Sequence, residues 1–114
     1  MHELGIVFHI IRQVEELGQE HDLSQVTAVT LEVGQVSTVI PHYLTDCWNW
    51  AVKKSPLLDG AELRIEQINA VTWCDDCQKT YPTVPQGRTC PYCGGGNTWL
   101  QTGNEVNIRE IEAT

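Results

Sequence analysis

From Leu4 to about Glu20 the apolar residues Leu4, Val7, Phe8, Ile11 and Val14 recur at three- and four-residue steps. That spacing predicts one helix with a single buried stripe, which leaves His9 on its polar side. After Ser24 the period changes to two. Val29, Leu31 and Val33 alternate with Thr30 and Glu32 before Gly34, as in a half-buried strand. Pro41 suits the first turn of a second helix, in which Leu44, Cys47, Trp48 and Ala51 form an i, i+3, i+4, i+7 stripe ending near Ser55-Pro56. On this stripe Cys47 reads as a buried structural thiol. Asp59-Gly60 is a turn signal. Leu63 and Ile65 then alternate with Glu62, Arg64 and Glu66, and Val106 and Ile108 alternate with Glu105, Asn107 and Arg109.

Between these last two strands, the stretch from about Ala70 to Gly103 is rich in Cys, Gly, Pro and Thr and has no long apolar period. A segment so short cannot build a core of its own and needs a staple such as a metal. The predicted architecture is therefore α/β (α+β), with a small sheet of about three strands packed by two helices. Residues 1–69 plus 104–114 form one discontinuous domain, and residues 70–103 form an inserted zinc-ribbon-like module with four cysteines.

Cys74-Asp-Asp-Cys77 and Cys90-Pro-Tyr-Cys93 supply two short knuckles that can converge on a tetrahedral ion. Gly94, Gly95 and Gly96 follow the second pair, where residues free to take positive φ can turn backbone N–H groups toward the sulfurs. Two disulfides, a redox-active pair or an iron site use the same residues. A closed zinc site suits the duplicated pair in a polar insert better, and such a site is structural, with no open coordination position. Trp73, Trp99, Tyr81 and Tyr92 are expected to cover the knuckles as a miniature core.

The composition narrows the function. Seven basic against fifteen acidic residues give a net charge of −8, and no local basic patch appears, which argues against nucleic acid as a partner. No apolar run reaches the roughly 20 residues of a membrane span. The acidic start, with Glu3, Glu15 and Glu16, fits neither a signal nor a transit peptide. The pairing of four of the five cysteines then points to a reducing, cytoplasmic setting. No nucleophile and base pair can be named, so the chain is not expected to be an enzyme.

The start of the chain carries a second piece of chemistry. The bulky His2 disfavours removal of Met1, which leaves a free α-amine beside an imidazole and a backbone nitrogen. Together these resemble the square-planar nitrogen sets that suit Ni(II) or Cu(II). Any chain that begins Met-His offers the same atoms, and an imidazole at a chain end is ordinarily only solvated.

The combination is more specific than its parts. Met1-His2-Glu3-Leu4 opens a helix, an insert with four cysteines follows, and Gly103-Asn104-Glu105-Val106 closes it. Val29-Thr30-Leu31-Glu32-Val33-Gly34, Asp59-Gly60-Ala61-Glu62-Leu63 and Ile108-Arg109-Glu110-Ile111-Glu112 fall in order around them. Along its whole length the chain resembles the HypA/HybF family of hydrogenase nickel-incorporation proteins. The resemblance implies a nickel metallochaperone with one transported Ni2+ and one structural Zn2+. It implies nickel held by the His2 side chain with Met1 and Glu3 contributing through amine and backbone, and zinc held by Cys74, Cys77, Cys90 and Cys93. It implies work beside a HypB-type GTPase on the precursor of the [NiFe]-hydrogenase large subunit, and it leaves homo-oligomerisation open. Neither knuckle has a neighbouring histidine, so a pH switch of the kind some members build beside the zinc is not expected here. The reading from a different class is a zinc-ribbon module that binds protein or nucleic acid and has no nickel function.

Overall fold

The computed structural model describes the backbone of residues 2–114 and the side chains of residues 3–114. Met1 and the His2 side chain, two of the expected nickel donors, lie outside the described residues. The chain forms two compact units: Met1–Glu32, Val39–Glu66 and Asn107–Thr114 make the first, Val33–Thr38 and Gln67–Val106 the second.

In the first unit, α1 (His2–Glu20) is followed by β1 (Val26–Gly34), α2 (Pro41–Ala51) and a 3-10 turn (Val52–Lys54). Then come β2 (Glu62–Ile68) and, at the end of the chain, β6 (Val106–Ala113). The sheet order is β2-β1-β6. Ser24 and Thr114 are hydrogen-bonded at one end of the β1–β6 pair and Gly34 and Glu105 at the other, so those strands are antiparallel. Val26 lies beside Leu57 and Gln35 beside Ile68, so β2 runs the same way as β1, as the intervening helix requires.

The core is built from Val7, Ile10, Ile11 and Val14 of α1, Val26, Val29 and Leu31 of β1, and Leu44, Trp48 and Ala51 of α2. Trp48 is fully buried, and its indole N–H donates to the Ala61 carbonyl at 2.9 Å, which satisfies both polar groups. Two sequence expectations are corrected here. Phe8 is 40% exposed, because Ile10 takes its expected place on the buried stripe. Cys47 is half-buried rather than enclosed, since Leu44, Trp48 and Ala51 form the inward line of α2.

At the start of α2, Ile40 occupies the N-cap with extended backbone and offers no capping side chain, while Pro41 begins the helix. The Ile40 N–H instead donates to the Glu3 carboxylate at 3.2 Å, and Glu3 is buried. A negative charge thus sits at the positive end of α2 and ties the first turn of α1 to it.

The second unit holds three strands that the apolar pattern did not reveal: β3 (Val71–Cys74), β4 (Lys79–Pro82) and β5 (Thr98–Thr102), with a single turn α3 (Thr83–Gln86). Their order is β4-β3-β5, antiparallel throughout. The segment Val33–Thr38 groups with this unit. Backbone bonds account for it: Gly34 donates to Glu105, Gln35 to Ile68 and Val36 to Gly103. The approach is close enough that a Cβ on Gly34 would stand 2.0 Å from the Gly103 carbonyl oxygen.

Candidate metal centre

Both knuckles grow out of the second sheet by the same local device. Cys74 ends β3, and Gln78, four residues on, donates its N–H back to the Cys74 carbonyl at 2.9 Å with φ +57°. Cys90 repeats the arrangement, with Gly94 donating to its carbonyl at 2.8 Å and φ +72°. Each Cys-x-x-Cys is thereby wrapped into a turn whose two sulfurs face one point. The knuckles are joined through Asn97, whose carbonyl accepts from the Asp75 N–H at 3.0 Å and whose amide donates to Asp76 at 3.5 Å.

The four Sγ atoms of Cys74, Cys77, Cys90 and Cys93 lie within 4.8 Å of one another. Cys74 to Cys93 and Cys77 to Cys90 are each 3.6 Å apart, and none of the cysteines is in a disulfide. A sulfur–sulfur bond is about 2.0 Å long. A tetrahedral ion with four thiolates at about 2.3 Å spaces them about 3.8 Å apart. The observed distances match the second case.

Cys74 and Cys90 are buried with Tyr81, whose hydroxyl donates to the Gly87 carbonyl at 2.9 Å. The other aromatics expected to cover the knuckles do less. Trp99 and Tyr92 are half or more exposed, and Trp73 is half-buried with its indole N–H on Asp75 at 2.8 Å. Tyr92 instead lies under the Lys79 ammonium, 5.0 Å from the ring centre.

The quartet is electrostatically uneven without an ion. Burial would raise the Cys90 thiol, but the backbone N–H groups of Cys93 and Tyr92 stabilise its thiolate and bring it down to about 7. Burial, with hydrogen bonds from its sulfur neighbours, pushes Cys77 up to about 12. For Cys93 the Gly95 N–H favours the thiolate, yet the nearby Cys74 sulfur and burial push the thiol up. Cys90 is the readiest to meet a cation, and Cys77 and Cys93 give up their protons as it arrives, which is how a soft thiophilic metal loads a thiolate site.

The structure places Glu3 against α2, as described above, and it gathers the four cysteines; it gives no described atom of the His2 side chain to bring beside Glu3. Sequence reasoning missed the anchoring of Glu3 to Ile40, and no local signal carried it, because the partners are 37 residues apart.

The fold and the sulfur quartet define a small metal-binding accessory protein with a closed four-cysteine site. The family described as "Hydrogenase/urease nickel incorporation, metallochaperone, hypA" matches residues 1–113. Hydrogenase maturation factor HypA of Aeromonas salmonicida is 33% identical over 114 residues, covering 100% of both chains. That of Chlorobaculum parvum is 35% identical over 111 residues, 97% of each. The solution structure of the Ni metallochaperone HypA from Helicobacter pylori superposes with a TM-score of 0.75 at 20% identity, over 97% of this chain and 96% of that one. A second HypA solution structure gives 0.78 at 21% identity, over 100% and 97%. The chain belongs to the HypA/HybF family, the nickel metallochaperones of hydrogenase maturation.

Proposed function

We propose that this chain carries Ni(II) at its first residues and delivers it to the precursor of a [NiFe]-hydrogenase large subunit, with zinc in the Cys74, Cys77, Cys90 and Cys93 quartet. The family match over nearly the whole chain carries the reading, supported by the sulfur geometry. The nickel donors are the Met1 amine, the His2 imidazole and backbone nitrogen of His2 and Glu3. The Glu3 carboxylate is held by Ile40, which favours a backbone role for this residue. Nitrogen donors at a chain end lose the ion when protonated, which suits a carrier. Bound zinc would cross-link the two knuckles, and residues 70–103 would act as the rigid module of the protein. The partners in this reading are a HypB-type GTPase and the hydrogenase precursor, the compartment is the cytoplasm, and no reaction is catalysed. No helix among the described residues is long and apolar enough to cross a membrane.

The test is titration of Ni(II) into zinc-loaded, untagged protein and into His2→Ala, followed by d–d absorption and binding heat. A single tight site, lost in His2→Ala with zinc content unchanged, is expected. Equal, weak binding by both proteins would leave the zinc-ribbon interaction module as the better account.

A further inference from the structure

The helices of the first unit leave an aromatic flank uncovered. Tyr43 and Trp50 of α2 are 49% and 52% exposed, and Phe8 of α1 is 40% exposed. Tyr43, Cys47 and Trp50 stand at i, i+4 and i+7, so they share one side of α2. The Phe8 and Trp50 rings meet edge to face, with centroids 6.3 Å apart and planes at 72°, which carries the stripe across onto α1. Single exposed hydrophobic residues are ordinary, whereas adjoining aromatics of this kind are the material of interaction sites.

The carboxylates on this flank are engaged: Asp46, one turn before Trp50, lies 3.5 Å from His42, and Glu15 accepts from the Ser55 hydroxyl at 2.8 Å. The Lys54 ammonium lies 4.4 Å from the centre of the Trp50 ring. Arg12 stands one helical turn beyond Phe8 on α1. Among the described residues neither cation has a carboxylate partner, whereas Arg64 and Arg109 are both in ion pairs. In a chain of net charge −8, an aromatic face with an unpaired cationic rim selects for negative charge opposite it.

We propose that the α1–α2 flank formed by Phe8, Tyr43 and Trp50, rimmed by Arg12 and Lys54, docks an amphipathic helix of a protein partner whose apolar stripe is flanked by Asp or Glu. A helix fits because the surface consists of two packed helices, whose ridges accept a third. A second copy of this chain fits less well, since two chains that each carry a net charge of −8 repel one another.

The probe is a synthetic helical peptide with leucines at i, i+3, i+4 and i+7 and glutamates on both flanks, titrated into the zinc-loaded full chain. A control peptide carries lysine at each glutamate position. Calorimetry and nitrogen-15 amide spectra should show the glutamate peptide binding about tenfold or more tighter, a difference of about 1.4 kcal/mol, with shifts on α1 and α2. Trp50→Ala should weaken it about tenfold while zinc content and thermal midpoint stay unchanged, and Lys54→Glu should reduce or invert the preference between peptides. Three results would each overturn the proposal: no binding or equal binding of the two peptides, binding that survives Trp50→Ala, or sedimentation showing the chain closing this face on a second copy, with Trp50→Ala restoring the monomer.

Discussion

Glu3 is the residue whose replacement separates anchoring from metal binding. It is 6% exposed, and its carboxylate accepts the N–H of Ile40, the N-cap of α2, at 3.2 Å. Removing it in Glu3→Ala costs a charged hydrogen bond, about 1.5–3 kcal/mol. It also costs the attraction of a carboxylate for a helix N-terminus, about 0.3–1 kcal/mol. The distance is at the long end for an N–H···O bond, so the lower part of the range applies, about 2 kcal/mol in all. For a chain of this size that corresponds to a fall of about 8 °C in the thermal midpoint. Glu3→Gln keeps an acceptor and loses only the charge, so about half that fall is expected. The assay is thermal and urea unfolding at fixed zinc loading, read by far-ultraviolet circular dichroism, with nickel titration of the same samples. On the backbone role proposed for Glu3, nickel affinity should be retained in Glu3→Gln and should weaken in Glu3→Ala, where the first turn of α1 loses its tether. Unfolding of Glu3→Ala within about 0.5 kcal/mol of the parent chain, below the usual floor for a buried cap, would refute the anchor. A stable Glu3→Gln that has lost nickel would make the carboxylate a ligand.

Zinc binding should depend on pH in a defined sense. With Cys77 up at about 12, its proton is displaced at every working pH; with Cys90 down at about 7, its proton is displaced only in acid. Calorimetry in buffers of different ionisation enthalpy should therefore find about one more proton released per zinc at pH 6 than at pH 8, with affinity falling more steeply below neutrality; a constant count would contradict the assignment. Gly94→Ala should destabilise the metal-loaded second unit by about 1–2 kcal/mol, since nothing crowds the position and only its positive φ resists a side chain. Gln78→Gly should stabilise the same unit by up to about 1 kcal/mol for the converse reason, and chelator-driven zinc release reads both. Trp48→Phe should cost about 2–3 kcal/mol in urea unfolding, because the Ala61 carbonyl is left buried without its donor; a change below about 1 kcal/mol would mean that water replaces it.

The parts of this fold that were legible in the sequence are those whose burial is carried by aliphatic side chains. β2 and β6 keep the two-residue period, and α2 announces itself through Pro41 and an inward line at Leu44, Trp48 and Ala51. β1, expected to be half-buried, is instead enclosed on both faces, with Ala28 and Thr30 buried beside Val29, Leu31 and Val33. The second sheet was hidden because its inward positions are not apolar in the usual sense. In β3 the buried residues are Thr72 and Cys74, and in β4 only Tyr81 is buried. Strands of four or five residues give a two-residue period too few repeats to stand out. Phe8 was misplaced for a geometric reason: it lies about 100° round the helix from Val7, whereas the buried stripe turns to the other side, where Ile10 joins Val7, Ile11 and Val14. The quartet itself was readable from spacing alone, because chelation by Cys-x-x-Cys is a local property. The unevenness among Cys77, Cys90 and Cys93 was not, since backbone N–H groups that only the folded knuckles aim at Cys90 and Cys93 contribute to it.

The sulfur geometry also bears on where cargo can sit. Four thiols gathered within 4.8 Å, two of them buried and each pair clamped by a turn, would fill all four positions of a tetrahedral ion and leave none for an incoming ligand. Metal in such a site leaves only when the turns open. The bonds that hold them, Gln78 to Cys74 and Gly94 to Cys90, belong to the framework of the second unit. Handing over an ion from there would mean unfolding the unit that holds it. The first residues have the opposite role in the function proposed above: Glu3 is fixed to α2 through its carboxylate, and nickel is assigned to amine, imidazole and backbone nitrogens. Softness separates the two places as well: thiolates select zinc, while amine, amide and imidazole nitrogens select Ni(II) in a square plane. A protein that must keep one metal and part with another needs this division, and the proposed function sets it between the cysteines of the second unit and the opening turn of α1.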